Sequence, residues 1–236
     1  MVAVFTAVIY LYHITHTQVT KSLSNRAYDE IRRMIVRLAL APGAVINEDD
    51  LQARLGLGRT PIREALQRLV RDQLVTVIPR RGMYVSTIDV GELSTLYETR
   101  AVLEPYVTRL ACARGTDAQW AQMRQVVDAA RRSGAPADEL IGYDRECHEI
   151  VWAAANNRFL TDTLDMLYAQ SDRLWHIYLA EVDDMADAVD EHEAILHALE
   201  ARDADRAASL VEAHIRAFDT QIGNAVRRRL ESPLAG

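Results

Sequence analysis

The chain has 236 residues, 49% hydrophobic and 26% charged, with a formal net charge of −7. These are the values of a soluble globular protein of one large or two ordinary domains, and they exclude a low-complexity or membrane-embedded chain. The charge is uneven: residues 21–87 hold 12 Lys and Arg against 7 Asp and Glu, and residues 88–236 hold 15 against 27. A basic first third on an acidic remainder suits a DNA-binding head joined to a domain with another task.

In chain order, Met1 to Tyr12 is apolar but lacks a basic leading region and is too short to span a bilayer, so no signal peptide is expected. Residues 1–20 are an N-terminal extension without an assigned role. Ala27, Ile31, Met34, Ile35 and Leu38 recur at helical spacing and predict a helix from Ser24 to Leu40, ended by Ala41-Pro42-Gly43. Asn47 is an N-cap for a short second helix that opens on three carboxylates and closes at Gly56. A third helix is predicted over 60–72, with Pro61 in its first turn and Ile62, Ala65, Leu66 and Leu69 inward. Residues 74–78 and 83–86 alternate as strands around the tip Pro79-Arg80-Arg81-Gly82, which reads as a hairpin.

From Asp89 onward the periodicity is helical throughout. Helices are expected over about 89–114 (kinked at Pro105), 117–132, 137–155, 158–181, 186–201 and 204–230. The fold class is mainly α: a winged helix-turn-helix over 21–87, then an all-α antiparallel six-helix bundle over 88–230. Two cysteines, Cys112 and Cys147, form no spaced motif and point to a reducing cytoplasm.

The order helix, tight turn, basic helix, basic hairpin is that of a head built to enter DNA. Arg59, Arg63 and Gln67 share the third helix's outer face by i, i+4 spacing. An arginine fork matches guanine O6 and N7 and also grips phosphate, and Thr60 can bond either. Arg80, Arg81 and Gly82 form a wing tip able to reach backbone or minor groove. The run Arg59-Thr60-Pro61-Ile62-Arg63-Glu64-Ala65-Leu66, with Leu69 and Gly82, resembles the signature of GntR-family transcription regulators across about residues 22–87. The resemblance implies operator contacts by Arg59, Thr60, Arg63 and the wing glycine. The chain departs from that pattern at Asp49, where an arginine is usual, and at Gly58, where Ser or Thr is usual. Asp49 is expected to repel phosphate and leave more of the grip to Arg59, Arg63 and the wing.

A second constellation is Asp144 and His148, i and i+4 on one helix face, with His192 and His214 on two later helices. Three imidazoles and a carboxylate suit Zn²⁺, Ni²⁺ or a similar divalent ion, although seven histidines in a helical chain also give Asp-x₃-His by chance. Residues 89–225 resemble the all-helical FCD effector domain that follows this head in the FadR-type branch. The features shared are Leu96 to Glu104, the Asp144/His148 pair, Glu191-His192-Glu-Ala-Ile195 and Ala213-His214-Ile215. Six helices match the VanR-type subgroup. The resemblance implies a divalent metal on Asp144, His148, His192 and His214, for which Zn is the first expectation and Ni or another first-row metal the alternative. It further implies a small organic or sugar acid as effector. Arg100 is its expected anchor, or else an intrahelical partner of Glu104, and Arg173 is a second candidate. His176, His197, Cys147 and Trp152 are read as structural.

The expected function is that of a cytoplasmic homodimeric regulator, a repressor of palindromic operator DNA, with no membrane partner and no catalysis. The alternative is a metal-dependent enzyme of a small organic acid fused to a DNA-binding head. Against it, Glu146 and Glu149 lie off the ligand face and no base pairs with a nucleophile.

Overall fold

The computed structural model describes residues 22–178 and 185–231. The apolar opening segment lies outside the described residues. The head starts with α1 (Leu23–Val36), α2 (Glu48–Leu55) and α3 (Arg59–Arg71), followed by β1 (Val75–Ile78) and β2 (Gly82–Val85). Ser22 caps α1 by accepting from the Asn25 amide, and Ala27, Ile31 and Ile35 face inward. The helix stops at Val36, short of the expected Leu40. Leu38 turns into the left-handed region (φ 60°), and the Leu40 amide donates back to the Met34 carbonyl. Leu40 still packs against the head core, so its periodic position is used without a helix. Asn47 caps α2 as expected, accepting from the Asp49 and Asp50 amides, and Gly56 ends it in the left-handed conformation. The inner face of α3 is Ile62, Ala65, Leu66 and Leu69, all fully buried.

β1 and β2 pair antiparallel, Val75 opposite Val85 and Ile78 opposite Gly82. Arg80 and Gly82 both take positive φ at the tip. Residues 43–46 run along the other edge of β2, with Val45 bridging Tyr84 and the Ile46 amide donating to the Met83 carbonyl. Their short Gly-Ala-Val-Ile run has no alternation to announce a strand.

A turn at Val90–Glu92 leads into α4 (Leu93–Arg114), α5 (Asp117–Ser133), α6 (Ala137–Ala154), α7 (Arg158–Tyr178), α8 (Ala186–Glu200) and α9 (Ala204–Glu231). The helix α4 continues through Pro105. The long α9 packs along α4, α5 lies against α6 and α8, and α6 against α4 and α7. This buries a core that includes Trp120, Trp152, Trp175 and Leu199.

Head and bundle share α7. Its Ala169 is fully buried in the head core, Asp165 accepts from Arg32 of α1 at 2.8 Å, and Gln170 donates to the Asp72 carbonyl at 3.3 Å.

Between α4 and α5, Gly115 has an ordinary extended backbone, but a Cβ there would lie 2.2 Å from the Trp120 ring and 2.8 Å from the Ala111 carbonyl. Trp120 is buried and cannot yield. Gly115→Ala is therefore expected to destabilise the bundle by about 1–3 kcal/mol through overpacking, read as a lower thermal midpoint by circular dichroism.

Candidate metal centre and nucleic-acid interface

Asp144 and His148 project from one face of α6, His192 comes from α8 and His214 from α9, and all four are buried. One ligand atom from each lies within 4.8 Å of the other three. The His192 and His214 Nε2 atoms stand 3.7 and 3.3 Å from Asp144 Oδ1. His148 Nε2 stands 3.9 Å from Oδ2 and 3.3 Å from His214 Nε2. Donors ~2.1 Å from a shared tetrahedral ion would be ~3.4 Å apart, which these spacings approach.

The outer contacts fix which nitrogen faces inward. His148 Nδ1 lies 2.7 Å from Glu104, His214 Nδ1 lies 2.6 Å from Glu191, and His192 Nδ1 donates to the Ala188 carbonyl at 2.8 Å. Each imidazole thus spends one nitrogen on an acceptor and turns Nε2 to the centre, as ligating histidines do. Asp144 Oδ2 accepts from the Tyr168 hydroxyl at 2.5 Å, while the buried Oδ1 makes no hydrogen bond. A buried carboxylate oxygen without a hydrogen bond, facing the Nε2 atoms of His192 and His214 with that of His148 beside them, is a donor set that could hold a divalent cation.

The electrostatics agree. Burial works against the charged form of Asp144, but the three histidines outweigh it and hold the carboxyl far below its usual range. Burial, with His214 nearby, pushes His192 down to about 3. His214 is also penalised by burial, yet Asp144 and Glu191 raise it to about 9. Glu104 is kept ionised by Arg100 and His148 despite its burial.

Arg100 forms the expected intrahelical pair with Glu104. Its Nε donates to Glu104 at 2.7 Å, and its guanidinium lies 4.9 Å from the Tyr168 ring centroid. It also lines, with Tyr97, Asp144, His148, Ser171 and His214, a narrow cavity of about 10 Å³, the size of roughly one water. Arg173 departs from the expectation. It points to the head, donating to the Ser86 carbonyl and to Gln170 at 3.1 Å, because its side of α7 faces the linker. Fully buried without a carboxylate partner, it is lowered by desolvation to about 10.

Glu104, Glu191 and Tyr168 carry no spacing signal relative to the ligands. Only the run from Leu96 to Glu104 and the Glu191-His192 pair in the quoted motifs could have marked the two glutamates. Trp152 is buried and donates to Glu104 at 3.4 Å. Burial raises the Cys147 thiol well above its usual range. His176 packs on Asp172 at the junction, and His197 is exposed. Glu149 is tied to Arg145 at 2.6 Å and Glu146 is exposed, so neither faces the centre.

In the head, Arg59, Thr60, Arg63, Gln67, Arg80, Arg81 and Gly82 are all exposed. The two recognition arginines are not free, however: Arg63 Nε donates to Glu48 at 2.7 Å and Arg59 Nη2 lies 3.4 Å from Asp49. The acidic start of α2 thus pairs with the arginines themselves.

The model of the gntR family of bacterial regulatory proteins matches residues 23–85, and that of the FCD domain matches residues 95–217. The chain is 32% identical over 195 residues to the Nta operon transcriptional regulator of Aminobacter aminovorans, covering 82% of this chain and 91% of that protein. It is 26% identical over 216 residues to the HTH-type transcriptional repressor RspR of Escherichia coli, covering 91% and 93%. Among solved structures, E. coli McbR/YncC shares the fold, with a TM-score of 0.74 at 22% identity over 88% of this chain and 99% of that one.

The raised His214 gives a signed pH dependence. Its folded value of about 9 exceeds the unfolded value of about 6.5. Its contribution to metal-free stability is therefore full below about pH 6.5 and is lost as pH rises through 9. A divalent cation on Nε2 must displace that proton. Zinc addition to chelator-treated protein at pH 7 is expected to release it, with affinity rising up to about pH 9, as measured by calorimetry in buffers of different ionisation enthalpy.

Proposed function

Because the chain belongs to the GntR family of bacterial regulatory proteins and carries an FCD domain, it is a DNA-binding transcription regulator, and we propose that it is a metal-dependent repressor relieved by a small carboxylate. The observation that carries this reading is the buried set Asp144, His148, His192 and His214, of which Asp144, His148 and His214 line one cavity with Arg100. These residues would hold a divalent ion, zinc by their nitrogen-rich donor set with nickel next. When bound, the ion supplies a Lewis-acidic partner for a carboxylate oxygen. Arg100 would grip the acid's far end, and the ionised Glu104 keeps that guanidinium in place. Tyr168, held on Asp144, forms a polar wall.

The head, residues 21–87, would use Arg59, Thr60, Arg63, Gln67, Arg80, Arg81 and Gly82 on operator DNA. The bundle, residues 88–230, would sense the acid and form a homodimer matched to a two-fold operator. That RspR is named a repressor supports the direction of control. Among the described residues no helix is long and apolar enough to cross a membrane, which suits a cytoplasmic protein.

The coupling route is short. Arg145, next in sequence to Asp144, donates to Asp165 at 2.7 Å, and the same carboxylate oxygen accepts from Arg32 of the head at 2.8 Å. Moving α6 against α7 at the pocket therefore loads a contact that also holds α1.

Native mass spectrometry with elemental analysis of purified protein is expected to give one divalent ion per chain and a retained small acid, both lost in Asp144→Asn. Protein without metal at full occupancy of fold would contradict the reading. Asp165→Asn is expected to keep DNA affinity within about threefold while cutting the response to the acid several-fold, by fluorescence anisotropy.

A further inference from the structure

We propose that Glu48 is a specificity-determining residue of the operator contact, acting as a positioning residue that aims Arg63 at a guanine. The inference uses the recognition-helix reading and needs neither the metal nor the acid.

The geometry is asymmetric between the two acid–arginine pairs. Glu48 Oε2 takes the Nε–H of Arg63 at 2.7 Å, with the carboxylate side chain 27% exposed and the arginine 59% exposed. The anchor is mostly covered and the fork projects. Glu48 is also fixed from behind, as the first residue of α2. Asn47 caps that helix, Gln52 donates to the Glu48 carbonyl at 3.2 Å, and the helix dipole favours a carboxylate there. The Arg59–Asp49 pair is longer, at 3.4 Å, and its carboxylate is 79% exposed. It restrains little.

The donor count of arginine makes the difference functional. With Nε–H committed to Glu48, the two terminal nitrogens are left as an end-on fork, the arrangement that meets O6 and N7 of guanine together. An unrestrained arginine of the same charge grips phosphates of any sequence as readily. The carboxylate also cancels part of the charge that drives sequence-independent binding. Both effects raise the ratio of specific to non-specific affinity.

The test uses the full chain and two duplexes of equal length, one selected from a random library with the unaltered protein and one with that sequence shuffled. Arg63→Ala is measured first and is expected to weaken binding to the selected duplex at least tenfold. An unchanged affinity would overturn the recognition role of Arg63 and the proposal with it. Glu48→Ala is expected to lower the ratio of the two affinities roughly tenfold, the scale of one bidentate base contact, with binding to the shuffled duplex unchanged or tighter. Glu48→Gln, whose amide oxygen still accepts from Nε, is expected to retain most of the ratio. Asp50→Asn removes a charge from the same helical turn, where Asp50 pairs with Arg54 at 2.9 Å, and is expected to tighten both duplexes equally. If Glu48→Ala instead tightens both duplexes by the factor seen for Asp50→Asn, the residue acts by charge alone and the proposal fails. Equal loss of the ratio in Glu48→Gln and Glu48→Ala would overturn it as well. Thermal melts of each variant check that the head is folded.

Discussion

The bundle is organised around one costly group, the buried carboxylate of Asp144. A carboxylate out of water needs compensation close at hand. Here Oδ2 has the Tyr168 hydroxyl and Oδ1 has no hydrogen bond, facing instead the Nε2 atoms of His192 and His214. Much else follows from keeping those imidazoles in place. Glu104, Glu191 and the Ala188 carbonyl each fix one ring, and Arg100 in turn holds Glu104 ionised. The result is a chain of buried charges from α4 through α6 to α9 that balances only when its centre carries positive charge, as a proton on His214 or as a cation.

The second constraint is that α7 belongs to both halves of the molecule. Tyr168 and Ser171 look into the cavity, whereas Asp165, Ala169, Gln170 and Arg173 look toward the head. Residues three or four apart on one helix cannot move independently. Tyr168 thus lies within two turns of the α7 side chains that contact Arg32, Asp72 and Ser86. The buried Arg173 on the Ser86 carbonyl ties the linker to the same helix, which gives this residue a role at the junction in place of the expected one at the effector.

Local signals made much of this legible in the sequence. The cap at Asn47, the inward stripe of α3 and the i, i+4 pair Asp144/His148 are set by neighbours a turn apart, and the structure forms each. What stayed hidden depends on partners distant in sequence. The bridge of Val45 to Tyr84 depends on β2 lying beside it. Glu104, Glu191 and Tyr168 matter through contacts 23 to 44 residues away from their ligands. The end of α1 failed for another reason: Leu38 and Leu40 keep helical spacing, but a turn serves their burial equally well. At the head, Asp49 is expected from the sequence to repel phosphate. The fold shows Glu48 and Asp49 reaching across from α2 to the arginines of α3, which no spacing within either helix reveals.

In the proposed function, contact with DNA is conditional on the buried centre. The most direct measurement is the affinity of the full-length protein for its own promoter region at fixed salt, titrated with small organic acids, before and after chelation. The expected result is tight, salt-steep binding that a particular acid weakens at least tenfold in metal-loaded protein, with little response to that acid after chelation. An acid response of equal size in chelated protein, with the fold intact, would contradict it.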